Sequence, residues 1–326
     1  MSARTSIQWA DTTVNPTMGC SGCELWTPGR RACYAGVLTR RFAGRKGYPR
    51  RFEEPELFPG RMAKAAAMRD LAGTDRVGKP WLNGLPRLIF VGDMGDTFDH
   101  SIEFEYLRRE VFAVANADAG ARHVWLLLSK RPTRMGIFAM WLRDEHGEYW
   151  PPNVWAMTTV TGAATEKRAD ALRAIPGPVV RAISFEPIDD EPDWDRCLAR
   201  GVDDDGAEAG IDWAIFGGES APGARVETGD RRAGAARPLD VDIIRRGIGA
   251  ARRHGAAPFV KQLGSNPVNL TIGKRVLDRM GGNWGEWPAG LRVREVPRDL
   301  AMLTSGAGDR LAGAGAASGA WTGGAA

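Results

Sequence analysis

Residues 87–98 read RLIFVGDMGDTF, an apolar run closed abruptly by glycines, carboxylates and a threonine. A short apolar run without polar alternation is the pattern of a strand buried on both faces, as in a parallel sheet covered by helices. The pattern returns five times. HVWLLL (123–128) precedes SKRPTRM, NVWAMTTV (153–160) precedes TGAATEKRADALRAI, and VVRAISF (179–185) precedes EPIDDEPD. IDWAIF (211–216) then precedes GGESAPGAR, and APFVKQ (257–262) precedes LGSNP. Between them lie amphipathic stretches such as FEYLRREVFAVANA (104–117) and LDVDIIRRGIGAARRHG (239–255). Six or seven strand–helix units predict an α/β fold, a partial or full (β/α) barrel in place of a doubly wound sheet.

In such barrels active sites collect at the C-terminal ends of the strands. Here those ends are DMGD (93–96), SKR (129–131), TTVT (158–161), SFEP (184–187), GGES (217–220) and KQ (261–262). Any one of them alone reads more readily as a turn or a helix cap. Six in succession predict a polar rim.

The remaining chemistry sits near the N-terminus. Cys20, Cys23 and Cys33 fall within GCSGCELWTPGRRACYAG (19–36), while the chain holds four cysteines altogether. The fourth, Cys197 in WDRCLARG, reads as a core residue. The cluster belongs on the loop of the first βα unit, with Cys33 and Tyr34 leading into a helix, YAGVLTRRFAG (34–44). Dense thiols in a cysteine-poor chain point to a metal or an iron–sulfur centre, and three ligands leave one coordination position open. Two other readings stay in play: a structural zinc completed by His100, His123, His146 or His254, and plain buried thiols.

With 326 residues, a formal charge of +4 and a pI near 9.0, the chain permits a nucleic-acid partner without requiring one. No apolar run of membrane-spanning length and no signal-peptide core is present, so a cytoplasmic protein with no membrane association is expected. Arg40, Arg41, Arg45, Lys46, Arg50 and Arg51, interleaved with Phe42, Tyr48 and Phe52, form a basic and aromatic patch beyond the cysteines. Such a patch suits phosphate contact and base stacking, or a solvated helix face. Residues 1–270 are expected to form the barrel with its cysteine loop. Residues 271–303 form a small accessory segment with a hairpin in NWGEWPAGLRVREVP (283–297), and the small-residue stretch 304–326 forms a disordered tail. DDDGAEAG (203–210) and ETGDRRAGAARP (227–238) read as mobile loops.

Taken in order, TSIQWADTTVNPTMGC, CYA, FVGDMGD, LLSKRP, SFEP, GGESAPGAR and FVKQ resemble the phage-associated family of uncharacterised proteins with a three-cysteine motif, described as radical-SAM-like. The resemblance runs from about residue 5 to about residue 265. It implies a radical-SAM-like partial barrel in which Cys20, Cys23 and Cys33 hold a [4Fe–4S] cluster, and S-adenosylmethionine binds the remaining iron and is cleaved to start hydrogen abstraction from an unknown substrate. It also implies cofactor contacts from Asp93, Met94, Gly95 and Asp96 to the methionine amino group. Ser129, Lys130 and Arg131 would hold its carboxylate or ribose, with Arg131 the preferred bidentate partner. Glu186 would stand over the mouth, and Gly217, Gly218 and Glu219 would bring backbone close to the ligand. A reductant protein is the implied partner, and nucleic acid a candidate substrate. The chain departs from the pattern in one respect: the position after Pro28 and Gly29, a cysteine in other members, is Arg30, so Cys23 must serve as the middle ligand. The competing reading is a non-catalytic, zinc-stabilised nucleic-acid-binding protein.

Overall fold

In the computed structural model, which describes residues 5–220, 236–270 and 276–297, seven parallel strands follow one another in chain order across a single curled sheet. They are β1 (Thr12–Val14), β2 (Leu88–Val91), β3 (Val124–Leu128), β4 (Val154–Thr159), β5 (Arg181–Phe185), β6 (Trp213–Gly217) and β7 (Ala257–Gln262). Every neighbouring pair is parallel. Among the described residues no ladder joins β1 to β7, so the sheet is a half-barrel and the closed alternative is set aside. A first strand of three residues offers too little backbone to close the ring.

Side chains alternate across the sheet as strand geometry requires. Leu88, Phe90, Leu126, Trp155, Met157, Ala182, Trp213, Ile215 and Phe259 fill the concave face, with Trp9 packed among them. Their neighbours Ile89, Val91, Trp125, Leu127, Ala156, Ile183, Ala214, Phe216 and Val260 face the helices. The principal helices are α1 (Tyr34–Phe42), α2 (Arg61–Ala66), α3 (Pro132–His146), α4 (Lys167–Ala174), α5 (Trp194–Leu198) and α6 (Val241–Arg253). Between β2 and β3 the chain is helical from residue 104 to 116, with a π-helical turn at Leu107–Phe112. Boundaries follow local chemistry. Pro132 opens α3, where its missing N–H costs nothing, and Gly147 closes it in the left-handed region. Asp240 caps α6 by accepting from the Asp242 N–H at 2.9 Å.

Two loop expectations change. The acidic run 203–210 holds a turn, 203–207, and the second of the paired strands Gly201–Val202 and Glu208–Ala209, and the buried Asp203 carboxylate accepts from the N–H groups of Asp205 and Ala207 while facing Arg181 at 3.4 Å. A carboxylate with those partners is an anchor, so the run is ordered despite its charge. In place of a hairpin, residues 283–297 form 3-10 turns at Trp284–Glu286 and Ala289–Leu291 and reach β7 through a single bridge, Phe259 to Arg294. Most of 227–238 and all of the tail 304–326 lie outside the described residues. No helix among the described residues is long and apolar enough to cross a membrane.

Candidate functional site

The concave face turns polar at the C-terminal end of the strands. Two residues past the apolar layer, the same register carries Ser184 on β5, then Glu186 just beyond its end, and Lys261 on β7. Glu186 accepts from the Lys261 ammonium and, at 3.3 Å, from the Gln262 amide. Gly217 is glycine because a Cβ there would meet the Glu186 carboxyl carbon at 3.2 Å, and one on Gly218 would meet the Leu263 carbonyl oxygen at 2.5 Å. These two glycines make room for the protein's own groups. Glu219 accepts from the Arg237 backbone N–H at 3.0 Å and from its Nε at 2.9 Å.

On the opposite side of the mouth, the cysteine loop is clipped to the ends of β2 and β3. Its backbone meets the DMGD turn at a parallel bridge between Gly19 and Gly95. Gly19 donates to the Met94 carbonyl at 3.1 Å, and Asp96 donates back to the Gly19 carbonyl at 3.2 Å. The approach tolerates no side chain, since a Cβ on Gly95 would lie 2.3 Å from the Gly19 oxygen. Met94 fills a small separate core with Met18, Cys20, Trp26, Ala35 and Phe52.

Arg131 locks this arrangement. Its guanidinium pairs with Asp96 at 2.8 Å and Asp99 at 2.9 Å, and donates to the Ser21 hydroxyl at 2.8 Å and to Cys20 Sγ at 3.5 Å. Asp96 also accepts from the Ser129 hydroxyl, the Lys130 N–H and the Phe98 N–H. Asp99, 1% exposed, accepts from both the N–H and the hydroxyl of Ser21 at 2.8 Å. Burial opposes charge on Asp99, but Ser21, Ser101 and Arg131 outweigh it and lower its pKa. For Arg131 burial likewise works against the charge, and Asp96 and its other anionic neighbours hold the pKa above the usual arginine value. In this conformation Arg131 and Asp96 therefore bind each other and the loop.

The thiols differ in their surroundings. Cys20 is buried, and burial together with the Asp96 charge lifts its pKa to about 11, against the pull of Arg131 and of the Gly22 N–H, which donates to its sulfur at 3.4 Å. At neutral pH it is a protonated thiol, so the charge of Arg131 is met by the two carboxylates. Cys33 stands at the N-terminus of α1, where burial raises its pKa while the Gly36 N–H and the Lys130 ammonium draw it down. Cys23 is close enough for its charge to act on Cys33. Among the described residues no three His, Cys, Asp or Glu side chains are gathered closely enough to hold a metal ion. The donor chemistry nonetheless fits a soft iron–sulfur ligand set: three thiols on one loop, with N–H groups aimed at Cys20 and Cys33, the contacts by which proteins tune such clusters.

Asn15, Glu24, Asp99 and Arg168 join the site without having been singled out in the sequence. Asn15 donates to Asp93 and accepts from the Met94 N–H at 2.9 Å. Burial raises the pKa of Asp93 against the hydrogen bonds from Asn15 and Thr13. Tyr34, although 45% exposed, donates its hydroxyl to the Asp93 carbonyl, and desolvation plus the charges of Asp93, Cys33 and Glu186 raise its pKa well above the ordinary value. Glu24 pairs with Arg168 at 2.6 Å. Burial pushes it up, but Arg168 and Lys130 overcome that and bring its pKa to about 2. Arg30 reaches Asp189 at 3.2 Å, tying the loop to the segment after β5. Asp99 lies three residues past the quoted DMGD, and the other partners become neighbours only through folding.

Of the four histidines, His123, His146 and His254 each precede a strand and so stand at the N-terminal end of the sheet, away from the cysteines. His100, which follows Asp99, is at the cysteine end.

A family model described as protein of unknown function (DUF5131) matches residues 4–266. No curated protein and no solved structure matches the chain.

Proposed function

The chain belongs to the DUF5131 family of proteins of unknown function, and on that premise we propose that it is a cytoplasmic radical-SAM-type enzyme, with a [4Fe–4S] cluster on Cys20, Cys23 and Cys33 and S-adenosylmethionine seated at the mouth of the half-barrel. The observation that carries this reading is the docking of a three-thiol loop, through Arg131, Asp96 and Asp99, onto the polar C-terminal rim of a parallel sheet. When bound, the pair would supply one-electron chemistry for hydrogen abstraction from substrate, which side chains alone do not provide.

The protein's own residues have defined tasks. Asp96, Asp99 and Arg131 position the loop. Lys130, whose ammonium has no hydrogen bond among the described residues, is the cation available to an incoming carboxylate. Asp93 and Glu186, whose charges both act on Tyr34, are the carboxylates that would meet amino or hydroxyl groups beside their present partners Asn15 and Lys261. The buried tryptophans beneath the rim exclude water from below. The phage association and radical-SAM character implied by the motif resemblance belong to this reading.

Anaerobic purification followed by iron and sulfide analysis tests it. The expected result is a brown protein with about four irons and four sulfides per chain, bleached by dithionite and releasing 5′-deoxyadenosine from S-adenosylmethionine, with iron lost in Cys33→Ala. A colourless protein with one tightly held zinc would replace it by the structural-metal reading, with His100 the remaining candidate fourth ligand.

A further inference from the structure

Residues 40–51, RRFAGRKGYPRR, hold six cations and no acid. Arg40, Arg41, Arg45, Lys46 and Arg50 are exposed, and among the described residues none of their side chains faces a carboxylate within ion-pair distance. Arg51 alone is paired, with Glu54 at 2.6 Å. The contrast with α6 is informative. There Arg245, Arg246, Arg252 and Arg253 each meet an acid, Asp242, Glu191, Glu295 and Asp195 respectively. The solvated face of α6 is thus neutralised pair by pair, and the 40–51 segment is not.

Aromatic rings lie beneath these charges. Phe42 and Tyr48 have centroids 5.2 Å apart, and the guanidinium groups of Arg41 and Arg45 stand 5.7 and 5.2 Å from the Phe42 ring. Unpaired cations over partly buried rings form a surface that neutralises phosphates and offers faces to bases. Position completes the argument. Tyr34 begins α1 beside the mouth, and Arg40 and Arg41 occupy its last turn. At ~1.5 Å of rise per residue the patch therefore starts roughly 10 Å from the mouth, about three stacked nucleotides along a strand.

We infer that the segment 40–51 is a docking surface for a nucleic-acid strand, which it holds by the phosphodiester backbone so that a nearby nucleotide reaches the barrel mouth. Binding at the patch stands without the cluster; the use of the mouth on that nucleotide rests on the radical reading above.

The test is fluorescence anisotropy of the full chain with a labelled oligonucleotide, as single-stranded DNA and as single-stranded RNA, over roughly 50–200 mM KCl. The wild type binds at least one of the two, the tighter ligand identifying the natural source. In R45Q/K46Q affinity falls about tenfold and the log–log salt slope shrinks by about 1.4, two single-strand phosphate contacts at about 0.7 each. R252Q, which removes an already paired cation, changes neither. Loss of no affinity and no slope in R45Q/K46Q would overturn the inference. So would equally tight binding to vesicles containing phosphatidylserine, which would make the patch a membrane contact. Iron measured on the same samples keeps the two proposals separate. R45Q/K46Q is expected to retain wild-type iron, and Cys33→Ala to lose iron while binding the oligonucleotide as before.

Discussion

Arg131 is the single side chain on which the cysteine loop most depends, because it neutralises two carboxylates that are nearly inaccessible to water. Removing one member of a buried ionic network leaves the others charged and unpaired, at a cost of about 3–5 kcal/mol. Arg131→Gln is therefore expected to lose stability on that scale in urea titration. Arg131→Lys recovers only part of it, since an ammonium cannot fork between Asp96 and Asp99. Glu24 supplies the acid limit of the same loop. Its pKa is depressed from 4.5 to about 2, so the stabilisation is complete above pH 4.5 and is lost as pH falls through about 2. The urea midpoint should fall across that window, and Glu24→Gln should flatten the acid limb while lowering stability at neutral pH. None of these partnerships could be read from the chain. The acids and arginines were visible as residue types, but Arg131 meets Ser21, and Arg168 meets Glu24, only after more than a hundred intervening residues have folded.

Among the elements, the strands were the most legible. Each of the six apolar runs became a strand of the main sheet, because burial on both faces leaves no polar alternation to confuse the reading. The seventh strand, Thr12–Val14, was implied by a first βα unit ahead of the cysteines but had no position in the sequence, since three residues carry no periodicity. The π-helical turn at Leu107–Phe112 has no sequence signature either, its apolar stripe being compatible with an ordinary helix. The contact of greatest consequence at this scale is Gly19 against Gly95. Gly19 also holds a φ of +98°, which few side chains tolerate. Gly95→Ala must push the cysteine loop off the end of β2, and limited proteolysis should then cut within residues 19–33 at protease levels that leave the wild type intact. An unchanged digestion pattern would show that the loop is held by its side-chain network alone.

Across the whole molecule, the open edge of the sheet at β7 is reinforced by side chains. Along the outer edge of β7, Arg294 lies 4.1 Å from the Trp81 ring and 4.8 Å from that of Trp284, and donates to the Val260 and Lys261 carbonyls and to Gln8. Burial lowers its pKa to about 10, so the guanidinium stays charged at neutral pH. It thereby ties the segment before β1 to the edge of β7, where the ring of strands is broken. Arg294→Ala is expected to cost roughly 2–4 kcal/mol from lost cation–π and hydrogen-bonded contacts, seen as a lower melting temperature. A seam fastened by a side chain instead of a ladder can be retuned without rebuilding the sheet. Homologues from hot and cold habitats should thus differ at the Arg294 and Trp81 positions, whereas the rim around Glu186 and Lys130 should vary independently of habitat.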